Sequence, residues 1–382
     1  MERKAILQLA DGSEYQGYSF GYEQSVSGEM VFTTAMTGYP ESLTDPSYRG
    51  QLLVPTYPMI GNYGVPDDER DAYGLPEHFE SDRIQCTALI IGDYSADYSH
   101  WDSHRSLGNW LVEQHIPGIY GIDTRSLAKR LRTYGAMSGR IIFDGDDVIP
   151  FRDPNVENLV AQVSTDRIQC YGNGRYRVLM IDCGIKNNIL RCLLRRDVTI
   201  RRVPWDYDFT ADNDYDGIFI SNGPGDPSRL VPTISHLRTA LTGDRPIMGI
   251  CLGHQLLALA AGARTYKMKY GHRGHNQTVR IPGTHRCFVT SQNHGFAVDG
   301  GTLPDEWECL FENLNDGTVE GLRHKTKPFF STQFHPEASS GPVDTDSLFD
   351  LFISNIRNYV REHPTNTTFR VGSPEDWPVW RV

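Results

Sequence analysis

Short apolar stretches separated by glycines dominate the first 150 residues of the chain. Four of them have the length of β-strands joined by short turns: AILQLADG, EYQGYSFG, GEMVFTTAMTGYP and QLLVPTYP. Two stretches with helical spacing follow, SLGNWLVEQH and TRSLAKRLRTYG, and the second ends at Gly135. This pattern predicts a compact α+β domain over residues 1–150.

From residue 176 onward, strand-like and helix-like stretches alternate. Buried strands that end in loops are indicated by RYRVLMIDCG, VTIRRVPW, DGIFISNGPGDP and PIMGICLG, and helices by KNNILRCLLRRD, LGHQLLALAAG and DTDSLFDLFISNIRNYVREH. Such alternation predicts an α/β domain with a mostly parallel central sheet flanked by helices. In sheets of this kind, functional side chains gather at the carboxyl ends of the strands.

Residues 151–175 lack a clear periodicity and contain a Gly-Asn-Gly tripeptide that precedes a strand. Because no glycine-opened helix follows it, this tripeptide does not resemble a phosphate-binding loop. We therefore predict a linker over 151–175, a second domain over 176–362 and a tail or linker over 363–382. The chain also lacks the G-x-x-x-x-G-K-[ST] motif, so we expect no ATP chemistry within it.

Composition narrows the class of protein further. In 382 residues, 37 Lys and Arg against 48 Asp and Glu give a net charge of −11, which argues against nucleic-acid binding. No apolar run is long enough to span a membrane, and the first residues lack the apolar core of a signal peptide, so we expect a cytoplasmic protein. Seven cysteines without a CxxC pair indicate free thiols in a reducing compartment and no metal site.

The strongest candidate for chemistry is Cys251, in the G-x-C-x-G pattern of residues 249–253. A nucleophile on a sharp strand-to-helix turn needs small neighbours, because the backbone there is strained and closely packed. A thiolate at a helix N-terminus is favoured by the helix dipole, and the N–H of Leu252 is a natural donor to an oxyanion. A buried structural cysteine is the competing interpretation of the bare pattern. The position between a strand and a helix favours the nucleophile.

Two further strand-end segments accompany Cys251. His335-Pro-Glu337 follows an aromatic strand and offers a base with an orienting carboxylate, which a cysteine nucleophile requires. Residues 222–226, with the sequence NGPGD, follow another buried strand. Their two glycines allow main-chain N–H groups to approach a ligand closely, although a tight turn explains them equally well.

Residues 292–296, with the sequence QNHGF, are expected to form a short loop that either holds a zwitterionic small molecule or is a satisfied turn. His254 lies three residues after Cys251 on a predicted helix, so we expect it to pack in the interior instead of acting as the base. Four other histidines lack metal-ligand spacing on a helix and are expected in solvated loops. They are His272, His275, His285 and His294.

Taken together, GICLGHQ, SNGPGDP and HPE, in this order, resemble the class I (triad) glutamine amidotransferase domain. The N-terminal run MTGYPESLTDPSYRGQLLVPTYPMIGNYG, with GIDTRSLAKRLR, resembles the glutaminase subunit of carbamoyl-phosphate synthetase, which other amidotransferases of the class do not share. The segments VPDDERDAYGLPEHFES and KYGHRGHNQ resemble the eukaryotic pyrimidine-pathway type. The tail TNTTFRVGSPEDWPVWRV has no counterpart that we can place in this family.

The resemblance implies a triad of Cys251 as nucleophile, His335 as catalytic histidine and Glu337 as orienting carboxylate. It also implies a set of glutamine-binding positions: Ser47, Gly223, Gly225, Leu252, Gln255, Asn293, Gly295 and Phe296. Because Ser47 belongs to the first domain, the glutamine site is expected at the domain interface. The family implies no cofactor or metal in this chain, since ATP and metal belong to the synthetase large subunit or a fused synthetase domain.

The implied activity is hydrolysis of L-glutamine through a cysteinyl thioester, with delivery of ammonia for carbamoyl phosphate synthesis in the pyrimidine or arginine pathway. Two alternatives remain open at this point. One is another cysteine hydrolase on the same scaffold, such as a γ-glutamyl hydrolase, and the other is a non-catalytic regulatory module. The intact triad weighs against the second.

Overall fold

The computed structural model describes residues 3–363. The tail expected at residues 363–382 therefore lies, apart from its first residue, outside the described residues. Within 3–363 the strands form one closed barrel, one ten-stranded sheet and a small two-stranded sheet. None of the helices in this part of the chain has both the length and the apolarity needed to cross a bilayer.

The first part of the chain closes into a barrel with the strand order β1-β2-β8-β6-β4-β3-β9. The strands are β1 (Lys4–Leu9), β2 (Glu14–Ser19), β3 (Val26–Thr33), β4 (Gln51–Pro55), β5 (Met59–Ile60), β6 (Ala88–Ile90), β7 (Asp93–Tyr94), β8 (Gly118–Tyr120) and β9 (Ser138–Phe143), of which β5 and β7 form the small sheet. The helices are α1 (Tyr39–Thr44), α2 (Leu107–Glu113) and α3 (Thr124–Tyr134).

Buried and less buried residues alternate along the barrel strands β1 and β9, whereas β4 and β6 are almost wholly buried. In β1, Ala5, Leu7 and Leu9 are buried, while the residues between them are less buried. Leu127 and Leu131 of α3 pack against the same core, on the apolar side of that helix. Closure of the sheet leaves no unpaired edge that could extend by pairing with another chain.

The second part of the chain forms a sheet in the order β10-β12-β11-β13-β14-β19-β18-β16-β15-β17. The strands are β10 (Gln169–Tyr171), β11 (Tyr176–Asp182), β12 (Val198–Pro204), β13 (Gly217–Ile220), β14 (Ile247–Ile250), β15 (Arg264–Arg280), β16 (Cys287–Asp299), β17 (Trp307–Asn313), β18 (Val319–His324) and β19 (Phe329–Thr332). The run from β12 to β19 is parallel, and the remaining pairings are antiparallel.

Four helices cover the two faces of this sheet: α4 (Asn187–Leu194), α5 (Val231–Ala240), α6 (Leu252–Ala261) and α7 (Ser347–Glu362). Residues of α4 and α7 pack with Met180 and Phe219 in one apolar cluster, while residues of α5 and α6 pack with Ile181 and Ile218 in another. Burial of both faces explains why the parallel strands are continuous apolar runs in the sequence.

The segment 151–175 connects the barrel to the large sheet, and parts of it pack against or pair with that sheet. Two turns of 3₁₀-helix occur at Pro154–Val156 and Val160–Gln162, and Val160 is buried in an apolar cluster of the second part. Strand β10 then pairs antiparallel with β12 at the edge of the large sheet.

Strand β15 also reaches the barrel. The Thr34 N–H donates to the carbonyl of Arg273 at 3.3 Å, and the Ala136 N–H donates to the carbonyl of Lys269 at 2.7 Å. Main-chain hydrogen bonds therefore join the two parts of the chain.

Candidate active site

Cys251 occupies the turn between β14 and α6, with φ 54° and ψ −103°. A non-glycine residue in such a conformation costs about 1–3 kcal/mol and is characteristic of functional sites. The flanking glycines make the turn possible. A Cβ at Gly253 would lie 2.2 Å from the Ile220 carbonyl oxygen, and one at Gly249 would lie 2.6 Å from the Gly253 carbonyl oxygen. The sulfur thus sits at the N-terminus of a buried helix.

His335 and Glu337 follow β19 and form a buried pair. His335 Nδ1 and Glu337 Oε1 are 2.6 Å apart. The main-chain N–H of His335 donates to the Ser291 carbonyl at 2.9 Å, which fixes the segment against β16. Burial lowers the pKa of His335, but the Glu337 carboxylate and the neighbouring Cys251 thiol outweigh burial and raise it to about 10. The imidazole is therefore protonated at neutral pH.

Lys186 is part of this site, although the sequence analysis did not identify it. Its Nζ lies 3.1 Å from Glu337 Oε1 and donates to the Ala338 carbonyl. Burial raises the pKa of Glu337, yet Lys186 and His335 together outweigh burial and lower it to about 2. Lys186 follows the carboxyl end of β11, and this strand-end position was the signal available in the sequence.

A cavity extends from Cys251 and is open to solvent at its mouth. Seven of the predicted glutamine-binding residues line it: Ser47, Gly223, Gly225, Gln255, Asn293, Gly295 and Phe296. The eighth, Leu252, is the first residue of α6, and its side chain is buried in the core. The structure thus brings the predicted set together around the sulfur.

Ser47 reaches this cavity from the barrel side. Its hydroxyl accepts a hydrogen bond from the Asn222 side-chain amide at 2.9 Å, and its N–H donates to Asp45 Oδ1 at 2.9 Å. Asp45 Oδ2 accepts from the Asn293 side-chain amide at 3.1 Å. Asp45, which the sequence analysis did not identify, therefore links the loop after β13 to strand β16.

The backbone after β13 favours glycine at positions 223 and 225. A Cβ at Gly223 would lie 2.0 Å from the Cys183 carbonyl oxygen, and Gly225 has φ +85°. On the other side of the cavity, Gln255 Nε2 donates to the carbonyl of Phe296 at 2.9 Å and to Gln333 Oε1 at 2.9 Å. This amide joins α6 to β16.

The loop predicted for residues 292–296 is wrong, because these residues lie inside β16 and pair with β15, with Arg273 opposite Asn293. The pairing of β15 with β16 has register shifts between Lys267 and His272 and between Gly274 and Gln277. His254 is buried, as predicted, with Nδ1 2.9 Å from Ser331 Oγ, and burial lowers its pKa to about 3.

The solvated-loop prediction holds for His285, which is exposed, but is wrong for three other histidines, because His272, His275 and His294 lie on β15 and β16. His272 and His294 are buried next to Glu320, and their potential ligand atoms lie within 4.8 Å of one another. The structure gives each atom a protein partner, since His272 Nδ1 is 3.2 Å from Glu320 Oε1 and His294 Nε2 is 3.2 Å from Gln292 Oε1. Hydrogen bonds therefore already account for this cluster.

Comparisons with known proteins agree with the two-part fold. The family model "Glutamine amidotransferase class-I" matches residues 179–355, and "Carbamoyl-phosphate synthase small chain, CPSase domain" matches residues 7–141. The "Carbamoyl phosphate synthase arginine-specific small chain" of Chaetomium globosum is 50% identical over 364 residues, which cover 93% of this chain and 79% of that protein.

Longer relatives match over the same region. "Multifunctional protein CAD" of Squalus acanthias is 51% identical over 359 residues, covering 93% of this chain and 16% of that protein. "Multifunctional protein URA2" of Saccharomyces cerevisiae is 48% identical over 393 residues, covering 94% of this chain and 18% of that protein. The chain spans less than a fifth of the length of these multifunctional relatives. These matches confirm the family resemblance that the sequence motifs indicated. The chain belongs to the carbamoyl-phosphate synthase small-chain family, with a class-I glutamine amidotransferase domain after the family's N-terminal domain.

Proposed function

We propose that this chain hydrolyses glutamine to glutamate and ammonia, and that a synthetase partner or fused synthetase domain uses the ammonia to make carbamoyl phosphate. The observation that carries the proposal is the His335–Glu337 pair, 2.6 Å apart, next to a cysteine on a strained turn that opens into a cavity. A cysteine nucleophile, a base and an orienting carboxylate are the parts that acyl transfer requires.

In the first half of the reaction, the Cys251 sulfur attacks the side-chain amide carbon of glutamine. The resulting oxyanion is stabilised by main-chain N–H groups of Leu252 and of the loop containing Gly223. His335 is protonated at neutral pH, so it can give its proton to the leaving nitrogen as the C–N bond breaks. The products of this half are ammonia and a glutamyl thioester on Cys251.

In the second half, the now neutral His335 removes a proton from water, which attacks the thioester carbon. The C–S bond breaks, glutamate leaves, and the sulfur and imidazolium return to their starting state. Glu337 stabilises the imidazolium in each half, and Lys186 holds the Glu337 carboxylate in its ionised form. This chain requires no metal or cofactor for these steps in our proposal, and ATP chemistry is assigned to the synthetase.

A second, small cavity supports an internal route for the ammonia. It is lined by His335 and also by residues of the barrel, including Ser42 and Tyr48. His275, on the wall of this cavity, is kept neutral because burial and the Lys186 charge lower its pKa to about 4. A neutral His275 is not a proton source for ammonia, and His335, on the same wall, is neutral once it has protonated the leaving nitrogen. Lys186 also lines this cavity, but the Glu337 and Glu80 carboxylates outweigh burial and raise its pKa, so it keeps its proton and the ammonia stays unprotonated.

The proposal also covers the metabolic pathway and the cellular location of the reaction. Named relatives include an arginine-specific small chain and multifunctional proteins, so we assign the chain to carbamoyl phosphate supply for pyrimidine or arginine synthesis. All seven cysteines are free, which supports a reducing, cytoplasmic location.

The test is turnover of free glutamine by the purified chain, alone and with its synthetase, together with labelling of Cys251 by a glutamine-like electrophile. We expect glutamate release and protection of Cys251 by glutamine. Preferential turnover of a γ-glutamyl peptide would instead support a γ-glutamyl hydrolase. If the chain hydrolysed neither glutamine nor the γ-glutamyl peptide, even with the synthetase present, the proposal would be overturned.

A further inference from the structure

Glu80 is a buried carboxylate of the barrel part that points at the amidotransferase part. It is 1% exposed, and both of its carboxylate oxygens are engaged across the interface. Oε1 accepts from the Ser339 hydroxyl at 2.6 Å, and Oε2 accepts from the Asn188 N–H at 3.1 Å. Its main-chain carbonyl also accepts from the Asn187 N–H at 3.0 Å.

The segment that Glu80 contacts is strained. Ala338 and Ser339 directly follow Glu337 and have φ values of 54° and 56°, which non-glycine residues rarely adopt. Such conformations cost about 1–3 kcal/mol each and persist only where surrounding contacts fix them. Two of the fixing contacts come from the barrel part, since Ser339 donates to Glu80 and Ser340 Oγ donates to the Thr37 carbonyl at 3.2 Å.

The same carboxylate lies close to the charges that hold Glu337. Asn188, whose N–H donates to Glu80, uses its side-chain amide to donate to the Glu337 carbonyl at 2.6 Å. The Lys186 ammonium interacts electrostatically with both Glu337 and Glu80. Two short paths, one through Ser339 and one through Asn188, therefore connect Glu80 to the main chain of Glu337.

We propose that Glu80 is a positioning residue for the triad, through which the N-terminal part of the chain sets the geometry of the Glu337–His335 pair. This inference rests on the proposed glutaminase activity. Glu80 does not line the cavity at Cys251 and so acts on the triad without touching glutamine. A displacement of about 1 Å in a catalytic group can reduce the rate on the order of 10²-fold. Loss of the hydrogen bonds that Glu80 accepts would therefore slow the chemical steps of the reaction.

The experiment measures glutamine hydrolysis by the full chain carrying Glu80→Ala or Glu80→Gln. The matched control is Glu77→Gln, which changes an exposed carboxylate three residues away. We expect kcat to fall about 10- to 100-fold in Glu80→Ala and less in Glu80→Gln, which keeps one acceptor, while KM does not rise. The control keeps the wild-type kcat and KM.

Two further readouts separate positioning from general destabilisation. Quenched reactions of Glu80→Ala should contain more glutamyl thioester than the wild type, because a displaced His335 activates water poorly. Ser339→Ala removes the donor to Glu80, so Ser339→Ala and Glu80→Ala should be non-additive in kcat when combined. Ser339→Ala also keeps the inference testable if Glu80→Ala does not fold.

An unchanged kcat in Glu80→Ala, a rise in KM alone, or strictly additive effects with Ser339→Ala would each overturn the role of Glu80. These outcomes are distinguishable from failure of the proposed function, because they require an active wild type. A wild-type chain that hydrolyses no glutamine, alone or with its synthetase, would overturn both.

Discussion

The Ser47 hydroxyl, on the barrel side of the interface, accepts a 2.9 Å hydrogen bond from the side-chain amide of Asn222, which follows a central strand of the large sheet. Asn222 immediately precedes the glycines that border the cavity at Cys251. The cavity at Cys251 is thus built from both parts of the chain. A change in their relative position changes the cavity directly.

Ser47→Ala should weaken glutamine binding, because it removes one polar group from the cavity and leaves the Asn222 amide with only a 3.5 Å contact to Asp45 Oδ1. A net loss of about 1–1.5 kcal/mol corresponds to a KM roughly tenfold higher. Alkylation of Cys251 by a small neutral reagent should proceed at the wild-type rate. Unchanged glutamine kinetics would exclude a role for Ser47 in binding.

The synthetase should accelerate the glutaminase of this chain mainly through kcat. A small rotation between the barrel part and the amidotransferase part misplaces glutamine relative to Cys251, and the partner would favour the productive arrangement. The measurement is glutaminase kinetics with and without the synthetase. Identical kcat and KM in the two conditions would show that the interface does not transmit this coupling.

Cys251→Ser should abolish glutamine hydrolysis while the complex with the synthetase still makes carbamoyl phosphate from added ammonia. The hydroxyl is a much weaker nucleophile than the thiolate, whereas the synthetase chemistry needs no group of this site. Cys287→Ser, which changes an exposed cysteine, serves as the control. Glutamate release by purified Cys251→Ser at the wild-type rate would contradict the assignment.

His335→Asn should form the thioester slowly and hydrolyse it more slowly still. Loss of a general acid–base group typically costs about 10²–10⁴-fold. Mass spectrometry of quenched enzyme should detect a glutamyl adduct on Cys251. The exposed His285 offers a matched control as His285→Asn, and a normal steady-state rate in His335→Asn would remove the catalytic role.

The stabilising effect of His335 should depend on pH. Because its pKa is raised from 6.5 to about 10 in the folded protein, protonation of His335 stabilises the fold fully below pH 6.5, and this contribution is lost as pH rises towards 10. The difference in unfolding free energy between the wild type and His335→Asn should therefore narrow from pH 6 to pH 10. A difference that widens over this range would contradict the raised pKa.

Lys186→Met should destabilise the protein by about 3–5 kcal/mol, because it leaves the buried Glu337 carboxylate with one cation fewer. Denaturant unfolding of this variant can be compared with Lys129→Met, an exposed lysine on α3. Lys186→Met should also slow glutamine hydrolysis, since the carboxylate that orients His335 is no longer held. Equal stability of the two variants would show that Lys186 does not stabilise the buried charge.

Short local patterns in the sequence were sufficient to predict much of the fold and the position of Cys251. The turn at Cys251 is visible in five residues because only glycines fit on either side of it. Barrel strand β1 follows from its alternating apolar positions, and the parallel strands of the large sheet follow from their continuous apolar runs. The glutamine-binding set came from the family resemblance, and the structure gathers it around one cavity. Residues 292–296 were predicted incorrectly because their polarity is typical of a loop, although β15 pairs with them.

The sequence by itself determined the identity of the family, the two-part organisation and the strand-to-helix turn that presents Cys251, since each depends on neighbouring residues or on a contiguous motif. Only the tertiary structure decided which distant groups support that turn. Asp45, Glu80 and Lys186 lie far from Glu337 in the chain, and they meet because strand order and barrel closure bring their segments together. A buried charge is stable only beside its partners, and those partners are fixed by the packing of segments that the linear pattern does not connect.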